Sequence, residues 1–165
     1  MIQKKIALLG ASGVGKTSLV RQFVESVFDD KYLTTIGVKV DKKQVQVGGQ
    51  DLRLMLWDIA GAEEHFTVPS SYVRGSSGYL LVVDGTRPET LAGGLDLSEQ
   101  VRRDVGPLPF VLVLNKIDLT DAWRMQDADL GPLRNRGCPI IRTSAKTGAG
   151  VEQAFLQLAG TLIAP

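Results

Sequence analysis

A chain of 165 residues, 44% hydrophobic and 22% charged, carries enough apolar matter for one self-sufficient core, 1–165, and is excluded from the disordered class. Nineteen basic against eighteen acidic residues leave a formal charge of +1, so no bulk positive field gathers nucleic acid or an anionic bilayer. The single cysteine, Cys138, rules out an internal disulfide framework and suits a reducing, cytoplasmic setting.

Short apolar runs at Ile6–Leu9, Tyr79–Val83, Phe110–Leu114 and Pro139–Ile141 read as parallel strands covered on both faces. The first run is too short for a signal-peptide core or a membrane span. After it, Leu19, Val20, Phe23, Val24 and Val27 fall at helical spacing. Between Val45 and Leu56 the pattern alternates around Gly48-Gly49, which predicts a hairpin and one antiparallel edge strand. Leu91, Leu95, Val101 and Val105 predict a helix over 88–105, despite Gly93-Gly94. A short helix is expected over 121–130, ended by Gly131-Pro132 because proline lacks the amide donor. Val151, Ala154, Phe155, Leu158 and Leu162 predict a closing helix. Alternating β and α elements imply a doubly wound α/β fold: a six-stranded, mostly parallel sheet with helices on both faces, in three layers α/β/α. Such sheets bind ligands at the carboxyl ends of their strands.

Two motifs stand at such ends. Gly10-Ala11-Ser12-Gly13-Val14-Gly15-Lys16-Thr17 fits G-x-x-x-x-G-K-[ST] between a predicted strand and a predicted helix. Its glycines let successive N–H groups turn onto phosphate oxygens, Lys16 adds a full charge, and the Thr17 hydroxyl can ligate Mg²⁺, with Ser18 next on the helix. Alone, this P-loop suits ATP as well as GTP. Asn115-Lys116-Ile117-Asp118 follows the strand 110–114. A carboxylate only accepts hydrogen bonds, and guanine offers N1–H and N2–H₂ side by side, whereas adenine would leave the Asp118 charge unpaired. The loop Thr143-Ser144-Ala145-Lys146 can bring a backbone amide to guanine O6.

With Lys31-Tyr32-Leu33-Thr34-Thr35-Ile36-Gly37-Val38 and Trp57-Asp58-Ile59-Ala60-Gly61 also in order and at matching spacing, the chain resembles a small GTPase of the Ras superfamily, nearest the Rab branch. The resemblance implies a GTP/GDP and Mg²⁺ switch of the P-loop NTPase fold. It implies that Ser12, Gly13, Val14, Gly15, Lys16, Thr17 and Ser18 hold the phosphates, and that Thr35 joins Thr17 on Mg²⁺ with Asp58 holding the ion through water. It puts the Gly61 amide on the γ-phosphate and the Lys116 stem over the guanine, with Asn115, Asp118, Ser144, Ala145 and Lys146 around the base. Lys16, Thr35 and Gly61 are thereby the catalytic candidates. Phe28 either lies against the guanine edge or packs in the core. Effectors are expected on segments 31–38 and 58–74, along with GTPase-activating and exchange proteins, on a monomer. For Trp57, Ile36 and Phe66, an apolar effector patch and core packing both stand.

Two departures from the family pattern follow. The family's Gln after Asp-x-Ala-Gly is Ala62 here, and a methyl group neither orients water nor touches a transition state, so slow hydrolysis is expected. Glu63, Glu64 and His65 follow it, and any of them can in principle reach the water, or a partner can supply both a positioning group and an arginine finger; Arg53, Arg74 and Arg87 lack a motif that marks a finger in cis and read as salt links or surface. The C-terminal residues LIAP carry no prenylation cysteine, so no direct lipid anchor is expected.

Overall fold

The computed structural model describes residues 1–29, 37–60 and 68–164. Its sheet runs β2-β3-β1-β4-β5-β6, from β1 (Ile2–Leu9), β2 (Val38–Val47), β3 (Gln50–Ile59), β4 (Gly78–Asp84), β5 (Phe110–Asn115) and β6 (Ile140–Arg142). Among the described residues only the β2–β3 pair is antiparallel. The helices are α1 (Lys16–Glu25), α2 (Ser70–Val73), α3 (Glu89–Asp104), α4 (Asp127–Asn135) and α5 (Val151–Ile163).

The continuous apolar runs are explained by two cores. On β1, Ile6 and Leu8 enter one core with Val20 of α1 and Phe155 of α5. Ala7 and Leu9 enter the other with Leu97 of α3 and Leu130 of α4. Alternate residues of β4 and β5 divide in the same way, Leu80 and Val82 against Leu81 and Val83, Val111 and Val113 against Leu112 and Leu114. A strand covered on both faces has no position at which a polar side chain reaches water, so its sequence cannot alternate.

The hairpin is longer than the alternation marked, because its outer half carries polar residues facing solvent. It turns on Gly48 and Gly49, with φ of 58° and 79°. Two consecutive left-handed residues make the primed turn that matches strand twist, and glycine adopts it without strain. Val45 lies opposite Leu52 across this hairpin. The Phe23 and Phe155 rings stack with centroids 4.1 Å apart, fastening α1 to α5 and so fixing the helix that follows the P-loop.

The expected helix over 121–130 is corrected. Thr120–Ala122 forms a single 3₁₀ turn, and α4 runs from Asp127 to Asn135 with Pro132 inside it. The local rule loses to burial. Leu130 and Leu133 are both buried in the second core, and burying two such side chains is worth about 3–6 kcal/mol, against the ~3 kcal/mol that an interior proline costs. The Gln126 amide also donates to the Asp129 carboxylate at 2.9 Å, capping the first turn. The last strand starts one residue later than the apolar run suggested, at Ile140. Cys138, just before it, is half-buried against the second core, and burial pushes its thiol pKa up, as for a small apolar side chain.

Candidate functional site

The carboxyl ends of β1, β4 and β5 and the loop after β6 are drawn together by side-chain hydrogen bonds. The loop 10–15 leaves β1 at Leu9 and enters α1 at Lys16, so its amides lie at a helix N-terminus. Gly15 takes a φ of 105° at the N-cap, and a Cβ there would run into the Asn115 amide, so only glycine permits this approach. The Lys16 ammonium, 6% exposed, donates to the carbonyls of Gly10 at 3.0 Å and Ala11 at 3.1 Å. Burial lowers its pKa to about 8, against the pull of Asp58 and with a smaller push from Arg87.

The Thr17 hydroxyl donates to Asp58 Oδ2 at 2.6 Å, and Asp58 is buried at the end of β3. These are hard oxygen donors, the kind Mg²⁺ takes. Among the described residues no group of three or more His, Cys, Asp or Glu forms a metal cage. Thr35 and Gly61, with Ala62, Glu63, Glu64, His65, Ile36 and Phe66, lie outside the described residues.

Asn115 joins the loops that follow β1 and β6. Its Nδ2 donates to the Val14 carbonyl at 2.9 Å, while its Oδ1 accepts from the Thr143 hydroxyl at 3.0 Å and the Ala145 amide at 3.3 Å. One buried amide thus ties the P-loop to the loop after β6. The Ala145 amide, a candidate for guanine O6, is turned on Asn115 here, and the Ala145 carbonyl is held by Gln22 of α1 at 2.8 Å. Ser144 is fully buried; its hydroxyl donates to Asp118 Oδ1 at 2.8 Å and accepts from the Thr147 amide at 3.0 Å. Lys146 is exposed at the loop's tip, Ser18 is half-buried in the first turn of α1, and Phe28 is half-buried against the first core.

Lys116 has a φ of 73°. A non-glycine residue pays about 1–2 kcal/mol for that conformation, and such strain concentrates at functional sites. Its ammonium crosses to the P-loop, donating to the Gly13 carbonyl at 2.8 Å and pairing with Asp84 Oδ2 at 3.0 Å.

Asp84 was not legible as a site residue. It ends β4 directly opposite Asn115 on β5 and is almost wholly buried. Burial alone would raise its carboxyl pKa, but donors from Thr86, Lys116 and Arg87 outweigh that and hold it below the usual value. The signal was a carboxylate closing an apolar run, the same position Asn115 takes on the next strand. Arg87, read from sequence as a salt link or surface residue, is a salt link: its Nε donates to Asp84 Oδ2 at 3.0 Å.

A model of the Ras family matches residues 5–164. The chain belongs to the Ras family. It is also similar to the human Ras-related protein Rab-7b, with 36% identity over 163 residues, covering 96% of this chain and 81% of that protein. Membership makes it a Rab-like small GTPase of the GTP-binding, P-loop class. The sheet order and single antiparallel pair are those of the Ras-family α/β fold. On its hairpin face, Trp57 is half-buried beneath the Lys5 ammonium, 3.6 Å from the ring centroid, and pairs across the strands with exposed Val40. No helix among the described residues is long and apolar enough to cross a membrane.

Proposed function

We propose that this protein is a guanine-nucleotide switch, one G domain over 1–165, that binds GTP or GDP with Mg²⁺ at this site and hydrolyses GTP slowly. The observation that carries the reading is the double anchorage of Asn115, on the Val14 carbonyl and on Thr143. It makes phosphate loop and base loops one unit, so the distance between a phosphate site and a base site is set before ligand arrives.

In this reading Asp118, steadied by Ser144, accepts from guanine N1–H and N2–H₂, and an adenine would strand the carboxylate at a cost of a few kcal/mol. Asn115, Ala145 and Lys146 surround the base, the Lys116 stem covers its face and Phe28 its edge. The amides of residues 12–18 and the Lys16 ammonium neutralise the phosphates. Thr17, Thr35 and, through water, Asp58 would hold Mg²⁺, which supplies positive charge beside the transferring phosphoryl group. Lys16, Thr35 and the Gly61 amide stabilise charge as the γ-phosphoryl leaves for water. Ala62 provides no group to orient that water, so an activating protein supplies both the positioning group and an arginine.

Segments 31–38 and 58–74 are ordered by the γ-phosphate and released on its loss, and effectors read the ordered form. An exchange protein resets the cycle, and the switch itself acts as a cytoplasmic monomer. A second reading, a GTP-binding scaffold with essentially no hydrolysis, is favoured by Ala62 alone. Single-turnover hydrolysis of GTP, with and without cell extract, separates them. Slow turnover accelerated by extract supports the switch, and no turnover in either supports the scaffold. Tight binding of ADP in competition with GDP would refute both.

A further inference from the structure

Three successive carbonyls of the P-loop are each held from behind by a side-chain donor. Asn115 Nδ2 holds Val14 O at 2.9 Å, the Lys116 ammonium holds Gly13 O at 2.8 Å, and the Arg87 guanidinium holds Ser12 O through Nη2 at 2.9 Å. A trans peptide is planar, with its C=O and the next residue's N–H on opposite sides. Drawing the carbonyls of Ser12, Gly13 and Val14 outward therefore turns the amides of Gly13, Val14 and Gly15 the other way, the arrangement that makes an anion-binding nest.

Arg87 is the most exposed of the three and, like Lys116, is seated on a further residue. Its Nε is fixed on buried Asp84 at 3.0 Å while Nη2 reaches Ser12, so the planar fork spans from carboxylate to carbonyl in one rigid unit. The same Asp84 oxygen pairs with Lys116 at 3.0 Å. Thr86 contributes both its amide, at 2.8 Å, and its hydroxyl, at 2.7 Å, to the other carboxylate oxygen. One carboxylate at the end of β4 thus orients two cations, and the two cations hold adjacent peptides of the loop.

We propose that Arg87, seated on Asp84, is a positioning residue of the phosphate site: it sets the peptide between Ser12 and Gly13 and so slows nucleotide release. This rests on the reading of these loops as a guanine-nucleotide site. Arg87 touches the loop from outside and is assigned no contact with the base.

The test uses the full chain and GDP carrying a fluorescent ribose label. Arg87→Ala is expected to speed dissociation about tenfold, the scale of one charge-assisted hydrogen bond. The ratio of GDP to IDP affinity is expected to stay unchanged, because IDP lacks only the 2-amino group that Asp118 would read. Arg87→Lys, which keeps the charge but not the fork, is expected to fall between Arg87→Ala and the parent, and it decides the matter alone if the alanine variant does not fold. Dissociation from both variants at the parent's rate would overturn the proposal, as would a loss of GDP-over-IDP preference as large as the loss of affinity. Failure of the parent itself to bind GDP would overturn instead the reading on which the proposal rests.

Discussion

Replacing Asn115 with alanine is expected to unfasten the loops after β1 and β6 before any ligand is involved. The side chain is 1% exposed and makes three bonds, to the Val14 carbonyl, the Thr143 hydroxyl and the Ala145 amide. Alanine leaves all three partners buried without their bond. Each stranded group costs about 1–3 kcal/mol, and allowing for local relaxation the total is about 3–5 kcal/mol. For a domain of this size that corresponds to a fall in Tm of roughly 10 °C, a large share of the ~5–15 kcal/mol such domains possess. Thr143→Val supplies the gradation: it removes one of the three bonds with little change of volume and should cost about 1 kcal/mol. Differential scanning calorimetry on nucleotide-free protein in excess chelator reads both. A fall of less than about 2 °C for Asn115→Ala, or equal falls for the two variants, would refute the idea that Asn115 joins the two loops.

Two further outcomes are expected. Ala62→Gln should raise single-turnover GTP hydrolysis on the order of tenfold or more by restoring a group that orients water, and a parent rate equal to that of the variant would contradict the deficiency. Asp84 is held below its ordinary pKa by its donors, so its contribution to stability is present above about pH 4 and is lost as pH falls through the folded-state value. Asp84→Asn should therefore melt lower than the parent at neutral pH and show a shallower loss of Tm below about pH 4; parallel acid profiles would contradict this.

The fold was legible wherever burial acts on every residue of a segment. Ile6–Leu9, Tyr79–Val83 and Phe110–Leu114 announce central strands because both faces are covered, and Gly48-Gly49 announces a turn because few other residues accept its geometry. Around Pro132 local chemistry pointed the wrong way: proline opposes a helix, and only the destination of Leu130 and Leu133 in the second core shows why the helix persists. The phosphate loop and Asn115–Asp118 were readable because their chemistry requires contiguous residues. Asp84 and Arg87 were not, because their significance depends on the β4–β5 register that sets Asp84 beside Asn115 and on a contact 75 residues distant in the chain, between Arg87 and Ser12. No local pattern encodes such a pairing.

Calorimetric titration of GDP into Asp118→Asn, beside the parent, is the most direct measurement of the account. The parent should bind tightly, and the amide, which presents a donor where guanine needs an acceptor, should weaken binding by orders of magnitude. Undiminished GDP affinity in the variant would contradict the assignment of this site to guanine.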